Sequence, residues 1–310
     1  MKETSELLRV STFYSDTFEL PLSEAHRFPM EKYRLLRERL QASEFREQLE
    51  FCLPDAATDR ELLLVHTPDY LDKLKQGTLS RIEERRIGFP WSRAMVERSR
   101  RSTGATLAAA RAALRDGVGV HLAGGTHHAF SDHGQGFCVF NDVAVAIRVL
   151  QAESLIQRAV VIDLDVHQGN GTAAIFADDS EVFTFSMHGE HNFPFAKCHG
   201  DLDIALPDAT SDELYLAALR DALNDRLPLA TANVVFYLAG ADPYEHDRLG
   251  KLKLTKAGLF ERDQLVFAAC GRHQIPVTVV MAGGYAQTID DVVAINEATL
   301  RALLHKLRRS

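Results

Sequence analysis

Short apolar runs rich in β-branched residues recur along the chain, at Glu61–His66, Gly117–Ala123, Ala159–Leu164, Val182–Met187, Asn233–Ala239 and Pro276–Met281. Continuous runs without polar alternation suit strands buried on both faces. Helix-like stretches lie between many of them, at Ser102–Leu114, Asn141–Ala152, Asp212–Asn224 and Lys256–Cys270. Strands alternating with helices predict an α/β fold, a mostly parallel sheet of about eight strands with helices on both faces. No internal repeat, low-complexity tract or linker breaks the pattern, so residues 1–310 read as one domain.

The ends of these runs are as informative as the runs. They close in AGGTHH, DLDVHQGNG, SMHG, AGAD and AGGY. In parallel sheets the working groups gather in loops beyond the carboxyl ends of the strands. Gly, His, Asp and Tyr delivered there by separate strands predict a single site at that edge.

Composition narrows the class. Hydrophobic residues at 46% and charged residues at 25% predict an ordinary folded core. A net charge of -8 gives no overall attraction to nucleic acid or to an anionic membrane. Locally, Arg81, Arg85, Arg86, Arg93, Arg98, Arg100 and Arg101 cluster, interleaved with Glu83, Glu84 and Glu97. They read as a solvated helix face or, more sharply, as a positive rim that receives an acidic partner. The four cysteines are far apart and make no CxxC pair, which argues against a zinc-thiolate cluster or a disulfide framework. The segment MKETSELLRV lacks the apolar core of a signal peptide, and no run of about 18 apolar residues could span a bilayer, so a cytoplasmic setting is expected.

In the extended stretch Asp163-Leu-Asp165-Val-His167, alternate side chains share a face. Three ionisable groups ending a buried run are costly unless satisfied, by a divalent cation or by a hydrogen-bonded Asp–His pair capping the strand. Asp242, after the apolar run VVFYLAGA, adds a carboxylate at another strand end. Asp165, His167 and Asp242 then form an Asp/His/Asp set with room for water, the open arrangement of a catalytic site. Its oxygen and nitrogen donors suit Zn²⁺, with Fe²⁺ or Mn²⁺ as alternatives. A two-metal site would want another carboxylate soon after His167, where Gly169 and Asn170 stand, so one metal is expected. His127-His128 after Gly124-Gly125 is weak evidence alone, but at the same edge the pair becomes a candidate general acid and base, with Asp163 able to orient one imidazole. Tyr285 after Gly283-Gly284 is either a hydroxyl donor to a developing oxyanion or a packed tyrosine under a glycine turn.

GGTHHAFSDHGQGFCVFND (Gly124–Asp142), VVIDLDVHQGNGTAAIF (Val160–Phe176), TFSMHG (Thr184–Gly189), AGADPYEHDRLG (Ala239–Gly250) and MAGGYA (Met281–Ala286) resemble, in order, the signature blocks of the histone deacetylase superfamily. That superfamily includes acetylpolyamine amidohydrolases and acetoin-utilisation proteins. EAHRFPMEKYRLLRERL (Glu24–Leu40) and VHTPDYL (Val65–Leu71) extend the likeness, and HRFPMEKYRLL with IGFPWS is most similar to the bacterial branch grouped with class IV deacetylases. The resemblance implies the arginase/deacetylase fold, Zn²⁺ on Asp165, His167 and Asp242, and tandem histidines His127 and His128, the latter as base and acid. It also implies that Asp163 orients His127 and that Tyr285 polarises the scissile carbonyl. Gly136 would accept the substrate amide, with Phe137, Phe193 and Gly284 around the acyl-lysine tunnel. An inner K⁺ or Na⁺ site would involve Asp163, Asp165, His167, Ser186 and Met187, and Arg34 would lie at the foot of the cavity. Asn170 stands where many class I enzymes have a second orienting aspartate, and the loop Gly88–Arg101 offers no recognisable rim aspartate to grip a peptide.

The expected activity is hydrolysis of an N-acyl amine, most simply N-acetyl-lysine or an acetylated small amine, without nucleic acid or membrane as a direct partner. Long-chain lysine deacylation and polyamine deacetylation are the enzymatic alternatives. A metal-binding interaction module without catalysis is the alternative of another class.

Overall fold

The apolar runs become strands because each can bury alternate residues in opposite directions. In the computed structural model, which describes residues 9–307 except 19, 21 and 23–25, Val160, Ile162 and Leu164 enter one core while Ala159 and Val161 enter the other. Val235 and Tyr237 against Val234, Phe236 and Leu238 repeat the division one strand away. Most of the segment MKETSELLRV, and Glu24 and Ala25 of the block Glu24–Leu40, lie outside the described residues.

The strands are β1 (Val10–Phe13), β2 (Leu49–Cys52), β3 (Val118–His121), β4 (Ala159–Asp163), β5 (Val182–Gly189), β6 (Leu202–Leu206), β7 (Val234–Leu238) and β8 (Val277–Val280). They form one eight-stranded sheet in the order β2-β1-β3-β8-β7-β4-β5-β6, and every pairing is parallel. The helices are α1 (Glu31–Gln41), α2 (Asp59–Leu62), α3 (Pro68–Gln76), α4 (Arg81–Ile87), α5 (Arg93–Asp116), α6 (Asp142–Ala152), α7 (Asn170–Phe176), α8 (Asp212–Asp221), α9 (Lys256–His273) and α10 (Ile289–Leu307). Leucines and valines of α1, α8, α9 and α10 cover one face, and those of α3, α5 and α6 cover the other. The α/β expectation and its two-sided parallel sheet therefore hold.

One predicted strand is a helix. Glu61–His66 falls on α2 and the turn after it, because Thr58 and Glu61 cap that helix reciprocally. The Thr58 hydroxyl accepts from the Glu61 N–H at 3.2 Å and Glu61 Oε2 accepts from the Thr58 N–H at 2.7 Å. Leu62 is buried, while Leu63 and Leu64 remain exposed, so the run never needed two cores. The stretch Gly88–Arg101 is mostly helix too: Ser92 accepts from the Met95 N–H at 3.0 Å and starts α5 at Arg93. Strands β1, β2 and β6 carry too few apolar residues to stand out in the sequence.

The sheet is tied to its helices by a buried charge. Arg262 of α9 has no exposed surface. Its Nη1 donates to the Gly240 carbonyl at 2.6 Å and reaches the Leu164 carbonyl at 3.5 Å, the residues just past β7 and β4. Its Nε and Nη2 lie 2.8 Å from Asp263 Oδ1. Asp263 also accepts the Tyr237 hydroxyl of β7 at 2.5 Å and the Thr299 hydroxyl of α10 at 2.6 Å. Removing one member of a buried ion pair typically costs about 3–5 kcal/mol, whereas replacing both by apolar groups costs much less. Arg262→Met is thus expected to lose about that much in denaturant unfolding and Arg262→Met/Asp263→Asn, which keeps an acceptor for Tyr237 and Thr299, distinctly less; equal losses would show that the pair is not what holds these strands.

Candidate active site

Each strand end contributes to one cluster. The loop after β3 carries His127 and His128, and its shape is set by Asp142 at the start of α6. Asp142 is fully buried and accepts from the Gly125 N–H at 3.0 Å, the Thr126 N–H at 2.8 Å and the Thr106 hydroxyl at 2.6 Å. A carboxylate there also sits favourably at a helix N-terminus. The loop after β4 brings in Asp165 and His167, the end of β4 itself Asp163, the loop after β7 Asp242, and the loop after β8 Gly283 and Tyr285.

The two histidines are held differently. His127 Nδ1 lies 2.6 Å from Asp163 Oδ2, and His128 Nδ1 lies 2.7 Å from Asn170 Oδ1. The Asn170 amide is oriented by donating to Gln135 Oε1 at 2.9 Å, so its oxygen accepts and the His128 proton belongs on Nδ1. The two rings lie 4.1 Å apart between centroids. Burial lowers the basicity of His127, but Asp163 and Asp165 more than offset it and bring its pKa to about 9. Burial, then the positive charges of His127 and His167, hold His128 well below the ordinary imidazole value. With protein charges alone, one imidazole is held toward its cationic form and its neighbour toward the neutral one.

Asp165, His167 and Asp242 offer donor atoms that all lie within 4.8 Å of one another, and all three residues are buried. His167 Nδ1 lies 2.9 Å from Asp165 Oδ1 and 3.2 Å from Asp242 Oδ2. Backbone amides fix the carboxylates: Gly283 N–H donates to Asp165 Oδ2 at 2.7 Å and Val166 N–H to Asp242 Oδ1 at 2.9 Å. Any side chain at Gly283 would collide, since its Cβ would fall 2.0 Å from Asp242 Oδ2 and 2.5 Å from Asp165 Oδ2. Asp242 Oδ2 is buried with no hydrogen bond of its own. With protein charges alone, burial and then Asp165 push the Asp242 carboxyl up to about 7. His167, against the pull of burial, is raised to about 10 by its bond to Asp165 and by the nearby Asp242 carboxylate. Two carboxylates converging on an orphaned oxygen and one imidazole nitrogen fit a single divalent cation.

Tyr285 stands over this cluster, its ring 6.3 Å from that of His167. Burial, then the Asp165 and Asp242 charges, hold its phenol well above the usual value, so it stays a neutral O–H donor. Asp247 Oδ2 accepts from the Tyr285 N–H at 2.6 Å, and Arg248 Nε donates to the Tyr285 carbonyl at 3.0 Å. A groove of about 460 Å³ descends to Tyr285, His128 and His167 between Gly136–Phe137 and Phe193. The Phe193 ring meets His128 edge-on at 5.0 Å, and the Gly136 carbonyl receives only the weak Cys138 thiol at 3.4 Å. Beyond the cluster lies a cavity of about 40 Å³ reaching Phe28, Tyr33, Arg98 and Ser102. Gly284 turns beside Tyr285, and its carbonyl accepts from Lys32 Nζ at 3.3 Å. Ser186 is paired with Asp163 across β4 and β5, its hydroxyl 2.9 Å from His188 Nδ1, and Met187 beside it is buried.

Arg34 is not at the foot of the cavity. It points outward from α1, 3.0 Å from both carboxylate oxygens of Glu38 and 3.5 Å from Glu31. The inward cation on α1 is Lys32, 5.2 Å from the Tyr285 ring centroid. Arg98 of α5 joins it at the foot, 5.3 Å from the Tyr33 ring, with its Nε buried and unbonded. Lys32, Leu36 and Leu40 are the buried i, i+4, i+8 stripe of α1, so helical periodicity held the signal that Lys32 faces in and Arg34 out.

Among the described residues, no helix is long and apolar enough to cross a membrane. An uncharacterized protein of Picosynechococcus is 45% identical over 96% of this chain and 97% of its own length. Histone deacetylase 2 of Arabidopsis thaliana is 30% identical over 93% of this chain and 78% of its own. The crystal structure of a histone deacetylase homologue from Aquifex aeolicus superposes with a TM-score of 0.78 at 25% identity, over 95% of this chain and 83% of that one. Residues 26–302 match the family model described as the histone deacetylase domain, and with that agreement the chain belongs to the histone deacetylase family.

Proposed function

We propose that this chain, as one catalytic domain, hydrolyses N-acyl amines with a short acyl group, most simply N-acetyl-lysine. The carrying observation is the convergence of His128 on Asn170, His127 on Asp163, the Tyr285 phenol and an Asp/His/Asp donor set at the floor of one apolar groove. The inner cavity of about 40 Å³ has room for roughly three water-sized groups, which supports an acetyl group over a long acyl chain.

Asp165, His167 and Asp242 would hold Zn²⁺, with Fe²⁺ or Mn²⁺ suited to the same donors, and the cation would supply Lewis acidity toward the carbonyl and a lowered pKa for a water. The chain's own groups do the rest. Phe137 and Phe193 enclose the alkyl chain and exclude water, and the Gly136 carbonyl accepts the substrate amide N–H. His128, its Nδ1–H bonded to Asn170, presents the Nε2 lone pair, takes the proton of the attacking water and returns it to the leaving amine. His127, kept charged by Asp163, stabilises negative charge developing beside it and keeps His128 neutral. The Tyr285 O–H donates to the oxyanion. Asp163, Ser186 and Met187 are the chain's candidates around an inner K⁺ or Na⁺.

Tyr285→Phe is expected to lower kcat on an acetyl-lysine reporter by about 10²–10³, the usual loss for one oxyanion donor; near-normal turnover would remove Tyr285 from the chemistry. Asn170→Asp places a negative charge on His128 Nδ1, raises its pKa, and should move the acid limb of kcat/KM to higher pH. An unmoved limb would assign that limb to another group. Stripping metal should abolish turnover. Adding Zn²⁺ back to metal-free protein at pH 7 should release at least one proton per site, because His167, at about 10, still holds its own there and Asp242, at about 7, is partly protonated. Calorimetry in buffers of different ionisation enthalpy reads this, and no proton release would mean that His167 is not a ligand.

A further inference from the structure

We propose that the mouth of the groove selects acyl-lysine flanked by acidic residues in a polypeptide, through Arg27, Arg85 and Arg86. The inference rests on the deacylase reading above and adds the charge of the substrate to it.

The fold divides the arginine run. Arg98 is buried at the foot, Arg100 pairs with Asp59, and Arg101 pairs with Glu97 at 2.8 Å. Arg85 and Arg86, in the last turn of α4, are exposed and line the groove together with Arg27, which precedes α1. Among the described residues no Asp or Glu lines that groove, and no carboxylate pairs with these three guanidiniums. On the opposite wall Lys251 and His191 share Asp208, at 3.7 Å and 3.3 Å. The mouth is therefore positive on a chain whose net charge is -8. A helix dipole accounts for basic residues in the last turn of α4. It accounts neither for Arg27, on a separate segment, nor for the missing acids.

The backbone beneath these cations is fixed to the tunnel wall. Gly136 N–H donates to the Arg86 carbonyl at 3.0 Å and Phe137 N–H to the Ile87 carbonyl at 2.7 Å. His26 Nε2, next to Arg27, lies 3.0 Å from the Gly88 carbonyl. Gly88 is left-handed at φ 87°, and a Cβ there would fall 2.8 Å from the Phe137 ring. The charges are thus held beside the rings that enclose the lysine. A small carboxylate could meet one guanidinium, whereas acidic side chains before and after the lysine reach cations on two segments. A polyamine would meet like charge at the same place.

Acetyl-lysine peptides of equal length with Asp/Glu, Ser/Ala or Lys/Arg flanks test this in metal-loaded enzyme. At low ionic strength the acidic peptide should exceed the basic one by about tenfold in kcat/KM, mostly through KM, since such fields change encounter by 10–10³. The preference should collapse near 1 M salt, where the Debye length is about 3 Å. Arg27→Glu/Arg85→Glu/Arg86→Glu should reverse the order, and because a ratio is read, partial loss of folded enzyme cancels. Equal rates for the three peptides, or an unchanged ratio in the triple variant, would overturn the proposal. A free N-acetyl amino acid turned over as well as the acidic peptide would overturn the polypeptide. Failure to hydrolyse even the neutral peptide would instead sink the deacylase reading.

Discussion

Arg262 ties together, from behind, the two strand ends that carry the acids of the site. The ends of β4 and β7 carry Asp163, Asp165 and Asp242 within a buried volume, and carboxylates in a low dielectric repel strongly. Arg262 donates to the carbonyls of Gly240 and Leu164, each near one of those acids in sequence. Its own charge is answered by Asp263, which is in turn tied to β7 and α10 through Tyr237 and Thr299. Strand spacing, and with it the distance between Asp165 and Asp242, is thus set from behind by a pair that never touches the groove.

The front of the site is organised by unequal partners for equal side chains. His127 and His128 are adjacent in sequence and nearly in contact, yet one faces a carboxylate and the other an amide. A carboxylate behind both would raise the basicity of His128 toward that of His127, and two cations 4.1 Å apart between ring centroids repel. Asn170 removes that conflict and separates the two roles.

Much of this was legible in the sequence, for identifiable reasons. Strands buried on both faces have no polar alternation, so β3, β4, β5, β7 and β8 stood out, and their polar ends marked the edge where the site lies. Glu61–His66 misled because an apolar run of that length has no periodicity of its own; the reciprocal cap between Thr58 and Glu61 was the deciding local signal. The resemblance pointed to Arg34, although the burial stripe of α1 turns Lys32 inward instead. Arg262 left no trace, since a lone arginine in an amphipathic helix reads as solvent-facing. The roles of Asp142 and Asp247 depend on backbone N–H groups brought from distant loops, which no local spacing records.

The short ladder joining Arg86 and Ile87 to Gly136 and Phe137 makes the outer helix and the inner wall one rigid piece. Arg85 and Arg86 of α4 can change in charge without disturbing that ladder, because only their side chains face solvent. The length of the connection after Ile87 cannot, since an inserted residue would shift the peptide groups that Gly136 and Phe137 rely on and deform the channel below. New substrate preferences in such a scaffold would therefore arise by exchanging side chains on a frame of constant length, with the chemistry beneath insulated from the experiment above.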